Sequence, residues 1–383
     1  MNLLRSIIIL LLSKLNIFNR SKILIIPATI LDGGFGDEIM VYSCIKNFSN
    51  KEVTLYTQKI IKRDDLFKNF KNFEYLSWKE KPKYYRYSKI VLLGADNLSG
   101  TYGNKEVLDK FKLLEEAHNH KLSIYILGFS LSENISPVVE KEMKRIIRFS
   151  QFFLRDPDSY QRAKNFLPEN KLKLVADVAF NCPLLSCSDT NYLEWTKEQK
   201  KFGNKIIAVC PNSIHSRSYN VNLYAEEYAQ LLINISKKQN VAFVLLYHDL
   251  RLLNKLWNDK KIAELIYEKI SSILNSYYTA EIKNGVELKS FLPFLDGTFT
   301  SRMHLGISGY SVGKPMFGIT YENKFSGLQK MFHLPPDKTL VEYTNLSAAE
   351  DHLNDFIINI DYYSKLVQNN IGKIKKLSDQ NFI

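Results

Sequence analysis

The strongest constraint in this chain is a rhythm. Short runs rich in Val, Ile, Leu and Phe recur at Lys22–Pro27, Val53–Thr57, Ile90–Gly94, Ser123–Gly128, Phe152–Arg155 and Leu172–Ala176. They return at Ile206–Cys210, Ala242–Tyr247, Gly297–Ser301 and Met316–Ile319. A strand with one wet face alternates polar and apolar residues. These runs mostly do not, so they read as strands of parallel sheets covered on both faces. Helix-like stretches lie between them at Asp37–Phe48, Lys105–Asn119, Ser136–Phe149, Asp158–Phe166, Tyr224–Lys238 and Asp249–Tyr277. Alternation of this kind specifies an α/β fold. The chain has 383 residues, more than one core usually fills, and the rhythm breaks in the polar stretch Pro183–Gly203. We therefore expect an apolar and basic segment at 1–20, one α/β domain over 21–190, a second over 200–340 and a helical segment at 347–378. Ligands of open α/β sheets bind beyond the carboxyl ends of the strands, so two such domains facing each other would put a site in the cleft between them.

Composition narrows the function classes. Hydrophobic residues make up 45% and charged residues 24%, which excludes wholesale disorder, collagen and coiled coil. The net charge is +12, which calls for an anionic partner: nucleic acid, a membrane surface, or a phosphorylated or acidic substrate. The lysines are scattered and no nucleic-acid module is recognisable, so nucleic acid ranks last. Cys44, Cys182, Cys187 and Cys210 form no CxxC pair and suggest a reducing compartment rather than a disulfide framework. At the N-terminus, the apolar run from Leu3 to Leu12 is too short to span a bilayer and lacks a following signal-peptide cleavage site. Two readings stand for it: an interfacial anchor whose basic flanks meet anionic headgroups, or a helix packed on the protein. The expected location is cytoplasmic, with the inner face of the membrane as the surface such an anchor would reach.

The strand ends carry the candidate chemistry. After the first strand, Asp32-Gly33-Gly34-Phe35-Gly36-Asp37-Glu38 makes a glycine turn ahead of a helix, with Gly36 and Asp37 as candidates for anion contact or simply a capped turn. Gly94 opens a loop after the third strand. Arg155 ends the fifth strand, and Asp156 and Asp158 beside it have DxD spacing, although a capped helix start is the favoured reading for them. No metal is expected. The strongest cluster is Arg302-Met303-His304 after Thr298–Ser301, followed by the small-residue stretch Leu305–Gly309. Two residues apart in an extended turn, Arg302 and His304 can point the same way, at a helix start that favours anions. Tyr321 and Lys324 follow the next strand. Asn212, with His215 and Arg217 just beyond it, and His248 follow two others.

Taken in order, these pieces resemble the polysaccharide pyruvyl transferase family. The features are Gly-Phe-Gly-Asp-Glu at 34–38, Gly-Ala-Asp at 94–96, Arg155-Asp156 followed by Ser159, Ala176-Asp177-Val178-Ala179-Phe180, His248, Arg302-Met303-His304 and Tyr321-Glu322-Asn323-Lys324. Gly34 stands where the family has Asn, and Ala95 where glycine is common. The resemblance implies two Rossmann-like domains in a GT-B-like arrangement with an interdomain cleft. It also implies transfer of pyruvate from phosphoenolpyruvate to a sugar diol as a cyclic ketal, in bacterial surface or capsular polysaccharide synthesis. The acceptor would be a sugar, such as a lipid-linked oligosaccharide, and phosphoenolpyruvate is a donor substrate, so no cofactor is implied. By position, Arg302 and His304 look like the pair that contacts phosphoenolpyruvate. The residue chemistry fits: Arg and Lys suit a phosphate and a carboxylate, and His transfers protons near neutral pH. His304 is then the acid/base and Arg302 an anion holder, with Lys324 and Arg155 completing the charge balance. Two other readings remain: a GT-B glycosyltransferase with a nucleotide-sugar donor, and a membrane-peripheral assembly protein of a glycan pathway with a degenerate cleft.

Overall fold

The computed structural model describes residues 21–101, 103–213, 220–251, 258–320, 324–343 and 346–382. The apolar segment at 1–20 and its two readings lie outside them. The described residues form two compact units.

Of the described residues, the first unit takes those in 21–31, Cys44–Val175 and 381–382. Its sheet contains β1 (Lys22–Ile26), β2 (Val53–Thr57), β3 (Phe73–Ser77), β4 (Tyr87–Ala95), β5 (Ser123–Phe129), β6 (Ser150–Leu154) and β7 (Leu172–Leu174). All neighbours are parallel, in the order β3-β2-β1-β4-β5-β6-β7. This is a doubly wound sheet with the order reversing at β1 and β4. Ile90, Leu92 and Ile126 are fully buried between its helices.

The second unit comprises Asp32–Ser43 and Ala176–Gln380. Its strands are β8 (Lys205–Cys210), β9 (Val241–Leu245), β10 (Ser276–Tyr278), β11 (Gly297–Thr300), β12 (Met316–Thr320) and β13 (Leu340–Glu342), again parallel, in the order β10-β9-β8-β11-β12-β13. The same winding appears, with the reversal at β8 and β11. Their carboxyl ends therefore define the place where a ligand of this sheet would bind.

Each apolar run of the rhythm coincides with a strand, within three residues at its ends. Three strands, β3, β10 and β13, fall outside it. All are sheet edges whose residues, Val341 aside, are partly or fully exposed, and they carry Glu, Ser and Tyr rather than an apolar run. The Asp249–Tyr277 helix expectation is corrected: the helix is Asp259–Ile270, and Ser276–Tyr278 is β10. The polar stretch around 190–201 is a helix, Thr190–Lys201, started by Asp189, whose Oδ1 accepts from Tyr192 N at 2.9 Å. That helix is anchored by Tyr192, fully buried, donating from its hydroxyl to Phe291 O at 2.8 Å.

The C-terminal segment is two helices, Leu346–Ile358 and Ile360–Asp379. The second packs on the Val178–Asn181 turn and the Met303–Ser311 helix, and Ser378 Oγ donates to Asp177 O at 2.7 Å. Among the described residues no helix is long and apolar enough to cross a membrane.

Leu92→Ala removes a fully buried side chain from the centre of the first sheet. Urea unfolding should show a loss of about 2–5 kcal/mol. A loss much below that range would contradict the close-packed sheet described here.

Candidate functional site

A short polar network forms at the carboxyl ends of β8, β9 and β11, within the second unit. It begins with the glycine turn. Leu250 N donates to Gly33 O at 2.9 Å, and Phe35 N donates to His248 O at 3.1 Å. These bonds lace the turn to the segment that follows β9. Gly33 has φ +118°, and a Cβ there would lie 2.9 Å from the Leu250 carbonyl carbon. Only glycine satisfies both demands. The Phe35–Asn47 helix then starts, and Gly36 in its first turn lies against His304. A Cβ at Gly36 would stand 2.4 Å from His304 Nδ1.

Arg302 organises the centre. Its Nε donates to Asp259 Oδ2 at 2.8 Å and its Nη2 to Asp259 Oδ1 at 2.6 Å, a two-pronged pair. Asp259 is fully buried at the start of the Asp259–Ile270 helix and also accepts from Ser213 N at 2.9 Å. Arg302 Nη1 lies 3.5 Å from Asp249 Oδ2, and Arg251 Nε lies 3.3 Å from that same oxygen. Arg251 also reaches Asp37, with Nη2 3.6 Å from Oδ2. Asn212 is fully buried and donates to Ser301 O at 3.4 Å, holding the backbone just before Arg302.

Asp249 thus lies between two guanidinium groups. Burial pushes its carboxyl up to about 6. Arg302 and Arg251 pull it down, and the neighbouring Asp259 pushes it up. This carboxylate takes up a proton far more easily than an exposed one.

Two histidines complete the arrangement. His304 Nε2 lies 3.5 Å from Asp177 Oδ2, and Asp177 itself is held by accepting from Ala179 N at 2.8 Å. A carboxylate in that place orients an imidazole. His248 is buried, with Phe35 edge-on at 5.9 Å between ring centroids. Burial holds its pKa well below 6.5, and His304 and Arg302 lower it further. It therefore stays neutral near pH 7. Its Nε2 is buried without a hydrogen-bond partner among the described residues, so the neutral ring has one hydrogen bond to give or accept there.

Of the candidates read from sequence, the second unit brings together Gly36, Asp37, Asn212, His248, Arg302 and His304. Arg155 and Gly94 belong to the first unit. There Arg155 Nε donates to Ser130 Oγ at 2.7 Å, and a Cβ at Gly94 would meet Phe129 Cβ at 2.3 Å, a packing reason for glycine. Asp156 caps the Pro157–Lys164 helix, accepting from Ser159 N at 2.8 Å. Tyr321, His215, Arg217 and the Lys324 side chain lie outside the described residues. Among the described residues no cluster of three or more His, Cys, Asp or Glu side chains has metal-binding geometry.

Sequence reasoning missed Arg251 and Asp259 and did not pair Asp177 with His304. Asp249-x-Arg251 directly after a strand was a usable signal. Asp259 was hidden inside an overlong helix.

A family model described as polysaccharide pyruvyl transferase matches residues 35–323, which contain every charged side chain of the network. No curated protein matches the chain. Solved structures share its fold. Neisseria meningitidis UDP-GlcNAc 2-epimerase bound to UDP-GlcNAc superposes with a TM-score of 0.60 at 12% identity, covering 94% of this chain and 97% of that one. MnaA of S. aureus in a co-structure with UDP gives 0.62 at 10% identity, covering 92% of each chain. A Medicago truncatula protein complexed with UDP-glucose gives 0.55 at 10% identity, covering 97% of this chain and all of that one. The fold is α/β with two Rossmann-like domains, of the GT-B kind.

Gly36→Ala should shift the His304 imidazole resonances in histidine-labelled NMR spectra while helix content by circular dichroism stays constant. Unmoved His304 signals would contradict the close approach. Asp249 makes a signed contribution to stability. Its folded pKa is raised from 3.8 to about 6, so the native state holds the extra proton and stability falls as pH rises through that window. In urea titrations across it, Asp249→Asn should flatten the slope. An identical slope in the variant would show that Asp249 does not titrate there.

Proposed function

The chain belongs to the polysaccharide pyruvyl transferase family, and from that premise we propose that it moves pyruvate from phosphoenolpyruvate onto a sugar diol as a cyclic ketal, releasing inorganic phosphate. The observation that carries this reading is the family match itself, whose span contains the Arg302–Asp259–Asp249–Arg251 network and the His304–Asp177 pair.

The reaction needs a proton delivered to the vinyl CH₂ of the donor, which turns the central carbon electrophilic. Two acceptor hydroxyls attack that carbon in turn, the C–O bond to phosphate breaks, and two hydroxyl protons are released. One restores the acid and the other leaves with phosphate, so the protons balance. His304 is the group suited to give and take them, with Asp177 holding its ring. His248, neutral, offers one hydrogen bond without competing for the proton.

The donor brings a phosphate and a carboxylate. Arg302 and Arg251 are the cations gathered at the strand ends, and both are paired with carboxylates. Asp249 is the partner most easily neutralised, because burial already favours its protonated form. Anion binding then takes up a proton at Asp249 and turns both guanidinium groups toward the ligand. The acceptor sugar supports a place in bacterial surface or capsular polysaccharide synthesis, with a lipid-linked oligosaccharide as the acceptor class to test first.

The test is phosphate release from phosphoenolpyruvate with a panel of lipid-linked and free oligosaccharide acceptors, read together with product mass. The product should gain the mass of pyruvate minus water. A gain of hexose minus water, from a nucleotide sugar, would establish the glycosyltransferase reading instead. His304→Ala should lower kcat by about 10²–10⁴-fold. Asp177→Asn should lose less, because the imidazole stays in place but loses the carboxylate beside its Nε2. Near wild-type rates in both variants would sink the assignment. Calorimetry in buffers of different ionisation enthalpy should show proton uptake on phosphoenolpyruvate binding, and Asp249→Asn should abolish it.

A further inference from the structure

A cavity of about 440 Å³ in the second unit plays no part in this chemistry. It lies at the C-terminal end of the Met303–Ser311 helix, whose other end carries Arg302 and His304. The two ends are about 13 Å apart at 1.5 Å per residue. Phe180, Leu184, Pro293 and Val312 give it apolar walls, and Lys289 and Lys375 give it charge.

Lys289 is only 2% exposed. Among the described residues its ammonium has one hydrogen-bond partner, the Cys182 carbonyl, and an ammonium has three donors. None of the residues lining the cavity is a carboxylate. Burial pushes the Lys289 pKa down to about 8, and Lys375 pushes it the same way. The adjacent Cys182 offsets this only in part, because burial pushes its own thiol up to about 11. A buried cation facing a second cation, with no acid in the walls, is costly unless an anion arrives from outside. Lysines are point charges that suit phosphate, and a pair of them matches a dianion better than a carboxylate. The remaining lining is largely apolar, and Leu184 in it is half exposed.

We propose that this cavity is a second ligand site, taking a phosphate monoester carried on a short apolar body, with the phosphate between Lys289 and Lys375 and the body against Phe180, Leu184, Pro293 and Val312. The inference is independent of the pyruvyl transfer reading. Such a ligand could be a free metabolite or the headgroup of a lipid, and the chemistry at the two lysines is the same.

The probe is n-hexyl phosphate, titrated calorimetrically into the full chain beside hexanol and inorganic phosphate. Hexyl phosphate should bind, hexanol should not, and inorganic phosphate should bind more weakly. Lys289→Met should weaken hexyl phosphate by roughly tenfold or more, about 1.4 kcal/mol. Lys375→Met, an exposed change that leaves the fold alone, should weaken it as well. His304→Ala should leave it unchanged, which separates this site from the catalytic one. Affinity should also fall as pH rises through about 8, where Lys289 loses its charge. Sedimentation with vesicles of phosphatidylcholine, with and without phosphatidic acid, identifies the source. Lys289-dependent pull-down by phosphatidic acid assigns a lipid, and its absence beside hexyl phosphate binding assigns a soluble ligand. No binding of hexyl phosphate to the wild type, wild-type affinity in both lysine variants, or loss in His304→Ala would overturn the proposal.

Discussion

The second unit turns on one buried ion pair. Arg302 grips both oxygens of a fully buried Asp259, and through them it ties three strand ends together: Ser213 after β8, Asp249 after β9 and its own position after β11. Removing either partner would strand a charge in a place without water, which costs about 3–5 kcal/mol. A lysine at 302 would keep the charge but could not hold both oxygens, because an ammonium lacks the planar fork. With this pair in place, His304 two residues on is held where Gly36 leaves room for it and Asp177 can orient it.

The same pair refines what the charge of this chain means. An excess of +12 suggests a basic groove awaiting an anion. The network at the strand ends is instead close to balanced: Arg251 and Arg302 face Asp37, Asp249 and Asp259. Such a site does not attract anions by raw potential. In the proposed reaction it would exchange one anion for another, with the buried Asp249 as the carboxylate neutralised when the ligand takes its place. Specificity would then come from geometry and from the proton, both of which suit the proposed donor with its two anionic groups. The excess charge lies elsewhere, and the pair of lysines around the separate cavity is one place where it has a local reason.

How much of this could be read from the residues follows burial. The central strands were plain because both of their faces are covered, which leaves Val, Ile, Leu and Phe in unbroken runs. The edge strands β3, β10 and β13 were invisible because half-exposed residues such as Glu74, Ser276 and Glu342 carry no such run. The Thr190–Lys201 helix hid in a polar stretch because its attachment rests on one cap, Asp189, and one buried ring, Tyr192. Arg302 and His304 stood out from their spacing after a strand. Their partners did not: Asp259 lies 43 residues from Arg302 in sequence, and Asp177 becomes the partner of His304 only through tertiary packing.

The central claim is that a protonated imidazole delivers a proton to the vinyl carbon of phosphoenolpyruvate while a sugar diol closes on its neighbour. Running the reaction in D₂O and reading the product by NMR tests this directly. The account predicts a ketal methyl group on the acceptor that carries one solvent deuteron, formed together with inorganic phosphate and lost in His304→Ala. An acceptor product with no pyruvate-derived methyl, or a methyl without deuterium, would contradict it.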